Sequence, residues 1–207
     1  MKRDRVIKIV VVLLVSALLL LASQFALGTG LVNLLERSLP TLTPLETRFQ
    51  ESFIKAEDLP LGWHRDRRGI WTEKVAGAEA RSLVFYGTWD PDKTWVNVGQ
   101  EIILYPDLEA AASAYEKRLA DYTESWCTPS NLDFTSHADQ VQVLCFTGAT
   151  INGVHHHSCD AVGLYGDMLV ILGANVFEDR WLTRQDFRAV LEAMDRRIVA
   201  TAEKAGQ

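Results

Sequence analysis

One short stretch of the chain combines side chains that bind transition metals. It reads His155-His156-His157-Ser158-Cys159 and directly follows an Asn-Gly pair. Because side chains alternate between the two faces of a β-strand, His155, His157 and Cys159 would share one face. Imidazole nitrogen and thiolate sulfur are good ligands for zinc and copper. The stretch therefore predicts a candidate metal site, with zinc as the favoured ion.

A complete zinc site needs three or four converging ligands and a supporting shell of hydrogen bonds. Elsewhere in the sequence only His137 or His64 would be available as a further ligand, if the fold brings either close. The favoured interpretation is a solvent-exposed strand end with Cys159 in a disulfide and no cofactor, and the zinc site is the alternative. The sequence has no nucleophile elbow, phosphate-binding loop, dinucleotide fingerprint or His-Glu-x-x-His motif, so no catalytic or cofactor-binding residue is assigned.

The chain has three cysteines, Cys127, Cys145 and Cys159, so at most one internal disulfide can form. Asn152-Gly153 is the strongest signal for a two-residue hairpin turn. With such a turn, Cys145 and Cys159 fall one residue out of register and lie on opposite faces of the sheet. We therefore expect Cys127–Cys145, with Cys127–Cys159 as the alternative, unless a bulge shifts the register.

The N-terminal sequence predicts a membrane anchor. Residues 1–8 contain Lys2, Arg3, Arg5 and Lys8, and residues 9–27 contain no charged side chain. An apolar run of about 20 residues spans the hydrocarbon core of a bilayer. Basic residues stay on the cytoplasmic side, which places the rest of the chain outside. A cleaved signal peptide is the alternative, although the run is long for one.

These signals divide the chain into four parts. They are a cytoplasmic basic tail (1–8), a transmembrane signal anchor (9–27), a juxtamembrane stalk (28–55) and an extracytoplasmic α+β domain (56–205). The localisation is then the cell membrane, with a single pass and the N-terminus cytoplasmic. A net charge of −6 argues against nucleic acid as a partner, and 48% hydrophobic residues indicate a folded domain.

The order of elements predicted for the domain is three strands, a helix, three strands and a helix. Asp107 caps a helix that runs to about Glu124, and Thr183 begins another that runs to about Lys204. A shorter helix is expected over 44–55 in the stalk. Strands joined by short turns favour antiparallel pairing. The predicted fold is an antiparallel sheet packed on one face by the two long helices.

Two segments carry a resemblance to a known type of domain. Leu59-Pro60-Leu61-Gly62-Trp63 opens the domain, and Ala110-Ala111-Ala112-x-x-Tyr115 lies in its first long helix. With the order of elements, these resemble extracellular sensor-like domains of actinobacterial membrane kinases and related lipoproteins of the Mog1/PsbP-like type, over about residues 56–204. The resemblance implies an α-β sandwich used for binding or sensing, and it transfers no catalytic residue.

The favoured function is therefore a membrane-anchored extracytoplasmic binding or accessory domain. Its partners would be the membrane, through residues 9–27, and an envelope protein or small-molecule ligand. The alternative is a metal-dependent cell-envelope enzyme that uses the His155, His157 and Cys159 strand face. A structural envelope protein is a third hypothesis.

Overall fold

The computed structural model describes residues 42–87, 96–125, 127–151 and 154–205. From Pro44 onward the chain forms one compact unit. The predicted tail (1–8), the anchor (9–27) and the first half of the predicted stalk (28–41) lie outside the described residues. Among the described helices, none is both long and apolar enough to cross a bilayer.

Over its described residues, the unit contains three α-helices, a short 3-10 turn at Ala56–Asp58 and eight strands. The helices are α1 (Pro44–Ser52), α2 (Leu108–Glu124) and α3 (Arg184–Ala205). The strands are β1 (His64–Arg65), β2 (Trp71–Val75), β3 (Ala78–Tyr86), β4 (Asn97–Leu104), β5 (Thr128–Pro129), β6 (Gln140–Ile151), β7 (Val154–Tyr165) and β8 (Met168–Val176).

All eight strands join one sheet in the order β1-β3-β4-β8-β7-β6-β5, and β2 pairs with β3 beside β1. Every pairing between these strands is antiparallel. The α+β class and the antiparallel sheet are therefore confirmed. The side chain of Asp107 caps α2 by accepting a hydrogen bond from the Ala110 N–H at 2.8 Å, as the sequence predicts.

The two long helices lie on opposite faces of the sheet, so their predicted packing on one face is wrong. One core cluster joins α3 and α1 to one face, and a second joins α2 to the other. The reason is visible in β8, where Met168 and Val170 face α3 while Leu169 and Ile171 face α2. A strand that is apolar on both faces needs a helix on each.

The domain begins earlier than the predicted boundary at residue 56. Phe49, Phe53 and Ile54, which the sequence assigns to the stalk, are each at most 2% exposed and belong to the core. The buried Gln100 fixes them, because its side chain accepts from the Ile54 N–H at 2.8 Å and donates to the Ser52 carbonyl at 3.2 Å. Residues 44–55 are therefore part of the folded unit and not of the predicted stalk.

A one-residue bulge in β6 decides the pairing of the cysteines. Ile151 pairs with Val154, as a two-residue turn requires, but the register shifts between Thr147 and Ala149. Gly148 is the extra residue, with φ +94°. The shift places Cys145 directly opposite Cys159 on one face of the sheet.

The structure joins Cys145 to Cys159, with their Cα atoms 4.1 Å apart, and leaves Cys127 as a free thiol. The predicted Cys127–Cys145 bond is corrected accordingly, and so is its alternative, Cys127–Cys159. A two-residue turn alone would place Cys145 and Cys159 on opposite faces of the sheet. That expectation is wrong because the bulge adds one residue to β6 between the turn and Cys145, which moves Cys145 to the face of Cys159.

Replacement of Gly148 by alanine should lower the free energy of unfolding by about 1–2 kcal/mol, since a Cβ disfavours positive φ. No atom lies within 4 Å of that Cβ, so the cost is conformational and not a clash. Gly99→Ala is the matched control, because its Cβ would make an ordinary 3.6 Å contact with Val84. Urea unfolding of both variants measures the difference, and equal losses would contradict a strained bulge.

A carboxyl group is buried between the sheet and α2. A Cβ at Gly173 would lie 2.4 Å from Oδ1 of Asp160, so only glycine leaves room for that side chain on the neighbouring strand. Burial raises the pKa of Asp160 to about 6, against the opposing effects of Arg118 and of a hydrogen bond with Tyr122. Asp160 is therefore partly protonated near neutral pH.

The raised pKa of Asp160 predicts that stability falls between pH 4 and pH 6. In that window the folded chain binds more protons than the unfolded chain, so the free energy of unfolding decreases as pH rises. A shift of about two pKa units corresponds to about 3 kcal/mol. Asp160→Asn should flatten this slope, whereas Asp121→Asn, at an exposed position on α2, should retain it. Urea unfolding at pH 4 and pH 7 makes the comparison, and parallel slopes in all three proteins would contradict the assignment.

Candidate functional site

A groove of about 400 Å³ lies on the α3 side of the sheet, directly above the disulfide. Its floor comes from three neighbouring strands, with Val143, Cys145, Thr147, His157, Cys159 and Val176. We call it the disulfide groove. The backbone groups under this floor are paired within the sheet, so a ligand would be recognised by side chains. The volume lies in the range of small-molecule sites.

One wall of the groove is the segment 128–132, which follows α2. β5 pairs it to β6, with Thr128 opposite Cys145, and Ser130 donates its N–H to the Val143 carbonyl at 2.8 Å. The other wall runs from Phe177 to the first turns of α3 and includes Glu178, Arg184 and Phe187. Arg184 reaches across the groove and donates to Oδ1 of Asn131.

The second wall is stiffened by stacked aromatic rings. The ring of Phe177 lies 5.3 Å from His156 in a stacked arrangement and 4.7 Å from Trp181 edge to face. Trp181 has φ +54°, which is uncommon for a bulky residue. Phe177 also donates its N–H to the Leu182 carbonyl at 2.8 Å. These contacts hold the loop before α3 in one conformation.

The segment that follows the first wall is fastened to α3 through one buried carboxylate. Asp195 is 1% exposed, and Oδ1 accepts from Ser136 Oγ (2.9 Å), the His137 N–H (2.8 Å) and Tyr165 Oη (3.0 Å). Oδ2 lies 2.6 Å from Nδ1 of His137. Burial opposes the charge, but the hydrogen bonds from His137, Ser136 and Tyr165 outweigh it and hold the pKa of Asp195 below its ordinary value.

The charged groups of the disulfide groove lie at its rim. They are Glu178 and Arg184, both exposed, above a floor that is mainly apolar. Leu132 and Arg184 also line an adjoining recess along α3, and His157 and Glu178 line another beside His155. An apolar group of a ligand could lie on the disulfide. A charged group of either sign on the same ligand could pair with Arg184 or Glu178 at the rim.

The structure brings some of the predicted metal ligands together. His155 and His157 line the same recess, with Glu178 beside them. Cys159, however, is bonded to Cys145, so its sulfur is not a thiolate. Over the described ranges, no group of three or more His, Cys, Asp or Glu side chains has the geometry for a metal ion.

The two further ligands considered from the sequence lie elsewhere. His137 is engaged with Asp195 at the side of α3. His64 is in β1, which pairs with β3 at the far edge of the sheet from β7. Neither belongs to the recess that His155 and His157 line.

Sequence reasoning missed most of the groove. Asn131, Glu178 and Arg184 carried no recognisable motif, and they meet only because the segment 128–132 folds back over β6. The capping pair Thr183 and Asp186 did mark the start of α3, and its hydrogen bonds are present at 2.9 Å and 2.6 Å. This capping signal predicted that Arg184 lies in the first turn of α3, but it did not predict that Arg184 lines the groove.

Comparison with known proteins gives a likeness of fold. No protein-family model matches the chain, and no curated protein sequence matches it. Among solved structures, the extracellular domain of PknH from Mycobacterium tuberculosis is similar, with a TM-score of 0.54 and 10% sequence identity. The likeness covers 77% of this chain and 97% of that one. It agrees with the sequence resemblance to extracellular domains of actinobacterial type, at the level of fold.

Proposed function

We propose that the chain is a membrane-anchored, extracytoplasmic binding domain of sensor-like type, and that its ligand occupies the disulfide groove. The observation that carries the proposal is the groove itself, with a mainly apolar floor and a rim of Arg184 and Glu178. The basic residues of 1–8 and the uncharged run of 9–27 support the single-pass anchor and the outward orientation. The similarity in fold to an extracellular domain supports the same compartment.

The groove favours a small organic ligand over an extended peptide strand. Its floor is made of side chains whose strands already pair with each other, so a peptide could not add to the sheet there. An apolar ring or branched chain would cover the disulfide and Val176. A carboxylate on the same molecule would replace Asn131 as the partner of Arg184, because a charge-assisted bond is stronger than a neutral one.

The test uses phenylacetate as a probe, with 2-phenylethanol as its neutral counterpart. Saturation-transfer NMR on the full chain in phosphatidylcholine nanodiscs should detect phenylacetate and give a weaker signal for the alcohol. Thr147→Trp places a large ring over the groove floor and should remove the signal. Thr72→Trp, the same change at an exposed position of β2, should retain it.

The proposal fails if phenylacetate gives equal signals with both tryptophan variants, because the binding would then lie outside the groove. Arg184→Gln separates recognition of the carboxylate from recognition of the apolar ring. It should reduce the phenylacetate signal to the level of the alcohol and leave the alcohol unchanged.

A further inference from the structure

The sheet face that carries α2 is covered by that helix over only part of its length. The core cluster beneath α2 takes its strand residues from the half of the sheet in which β4 ends and β8 begins; they are Ala80, Ile103, Val162, Leu164, Leu169 and Ile171. In the other half, Val84 and Phe146 belong to neither core cluster of the described residues. That half of the face lies on the opposite side of the sheet from the disulfide groove.

One row of side chains crosses this uncovered half from β3 to β6. Tyr86 lies opposite Asn97, and Ser158 lies opposite both Asn175 and Phe146. The register of β4 on β8 places Asn97 beside Asn175. The row crosses four gaps between strands of about 4.8 Å each, so it is about 19 Å long. We call these five residues the amide row.

The amide row is accessible, and the fold does not use its polar groups. Tyr86, Asn97, Ser158 and Asn175 are partly exposed, and Phe146 is 41% exposed. Within the described part of the chain, the side chains of Asn97, Ser158 and Asn175 form no hydrogen bond with another protein group. Two amides and a hydroxyl, which can each donate and accept, are therefore available to a ligand.

The next row on this face is low in its middle. It consists of Val84, Gly99, Gly173 and Asp160, in neighbouring register positions. A Cβ at Gly99 would meet only Val84, at 3.6 Å, whereas the carboxylate of Asp160 occupies the space over Gly173. The surface therefore dips beside Asn97 and rises again at Asp160.

The amide row carries no charge, and charged groups of both signs surround it. Asp66 and Arg68, near Tyr86, are bonded to each other at 3.1 Å, and Arg118 lies 3.7 Å from Glu101. Asp160 shares the face of Ser158 and forms no salt bridge with any described residue. An anionic ligand would therefore meet a carboxyl group beside the row.

Two histidines border the amide row. The ring of His64 lies 6.2 Å from that of Tyr86, in a tilted arrangement. His156, two positions from Ser158 in β7, is buried and stacks on Phe177 at 5.3 Å. The exposed part of the row thus lies between aromatic rings at both ends.

We propose that the amide row binds a neutral oligosaccharide. Sugar rings stack on Tyr86 and Phe146, because the C–H face of a sugar is apolar and packs on an aromatic ring. Sugar hydroxyls bond to the amides and the serine between those rings, since each of these groups both donates and accepts. A row of about 19 Å is longer than one sugar ring, so the ligand has several.

Two other classes of ligand match the amide row less well. A peptide strand could not add to the sheet here, because β4, β8 and β7 are already paired on both sides. An acidic glycan would be repelled by the ionised fraction of Asp160. A neutral sugar avoids both obstacles.

The test is saturation-transfer NMR of the full chain in phosphatidylcholine nanodiscs with cellohexaose, maltohexaose and chitohexaose as neutral probes. At least one of them should bind, and hexagalacturonate should bind more weakly. Asn97→Leu with Asn175→Leu should raise the Kd by about tenfold, which corresponds to the loss of two neutral hydrogen bonds. Gln50→Leu, at an exposed position on α1, should leave the Kd unchanged.

Phe146→Ala tests the stacking without disturbing a buried residue. It should raise the Kd by about fivefold, the value of one aromatic contact. Leu108→Ala is the matched control, since Leu108 is an apolar side chain on α2 that is 65% exposed. Circular dichroism of each variant should match the parent.

The proposal fails if none of the three neutral probes binds, or if hexagalacturonate binds as tightly as they do. Unchanged Kd values in the double leucine variant and in Phe146→Ala would overturn the site. A dimer in native mass spectrometry that Phe146→Ala dissociates would show that a second copy covers this face, which would also overturn the proposal. These outcomes are independent of phenylacetate binding, which concerns the disulfide groove.

Discussion

Asp195→Asn is expected to lower the free energy of unfolding by about 1.5–3 kcal/mol, the usual contribution of hydrogen bonds to a charged group. The carboxylate accepts four hydrogen bonds while its side chain is 2% exposed. The asparagine amide keeps one oxygen for Ser136, the His137 N–H and Tyr165, but that oxygen is neutral and therefore a weaker acceptor. Its N–H group replaces Oδ2 and faces Nδ1 of His137, so this hydrogen bond survives only in the tautomer whose Nδ1 accepts.

The same variant should loosen one wall of the disulfide groove. Ser136 and His137 lie in the segment that joins β5 to β6, and Asp195 is their attachment to α3. Hydrogen exchange of the amides of residues 130–138 should therefore accelerate in Asp195→Asn more than exchange in β3 and β4. Asp121→Asn, at an exposed position on α2, should change stability by less than about 0.5 kcal/mol. Similar losses in the two variants would contradict the role of the network.

The effect of Asp195 also has a defined pH dependence. Its pKa is lower in the folded chain than in the unfolded chain. The stabilisation is therefore complete above the unfolded pKa of about 4 and is lost as the pH falls through the lower folded pKa. The difference between the parent and Asp195→Asn should be largest at neutral pH and shrink toward pH 2.

Removal of the disulfide is expected to cost about 2–4 kcal/mol. Cys145 and Cys159 are separated by 14 positions, and a loop of this length corresponds to about 3 kcal/mol of chain entropy in the unfolded state. Both residues are at most 9% exposed and lie in the core below the groove, so Cys145→Ala with Cys159→Ala also leaves a small cavity. Urea unfolding measures the loss.

Cys127→Ala serves as the control for the double variant, because Cys127 is a free and partly exposed thiol. Burial and the neighbouring charge of Asp160 raise the pKa of that thiol, which keeps it protonated at neutral pH. We expect its removal to change stability by less than about 0.5 kcal/mol. A double variant that is as stable as the control would show that the disulfide contributes nothing to the fold.

Local sequence patterns predicted the helices and strands of this fold. They did not predict which face of the sheet a helix covers or a side chain occupies, because a single residue can change that. The stripe of Ala111 and Tyr115 marked α2, and Asp107 marked its start. Which face α2 covers depends on β8, whose apolar run does not say which residue faces which helix. The cysteine pairing depends on Gly148, since a single bulge inverts the faces of every residue beyond it.

The groove was beyond prediction for a different reason. Its walls join residues that are distant in the chain, such as Asn131 with Arg184, and His137 and Asp195 beside it are equally distant. No spacing within one element encodes such contacts. The histidine tract did mark the region, because His157 and Cys159 both line the groove. Its chemistry differs from the predicted metal site, since the sulfur of Cys159 is in the disulfide.

The proposed placement of the domain outside the membrane, together with the disulfide under its groove, is tested most directly by mapping the cysteines of the full chain in intact cells. The cells are treated with a membrane-impermeant maleimide before lysis and with a second, distinguishable maleimide after denaturation without reductant. We predict a peptide pair linked through Cys145 and Cys159, with Cys127 carrying the impermeant label. Three free thiols that react only after lysis would contradict both the compartment and the disulfide.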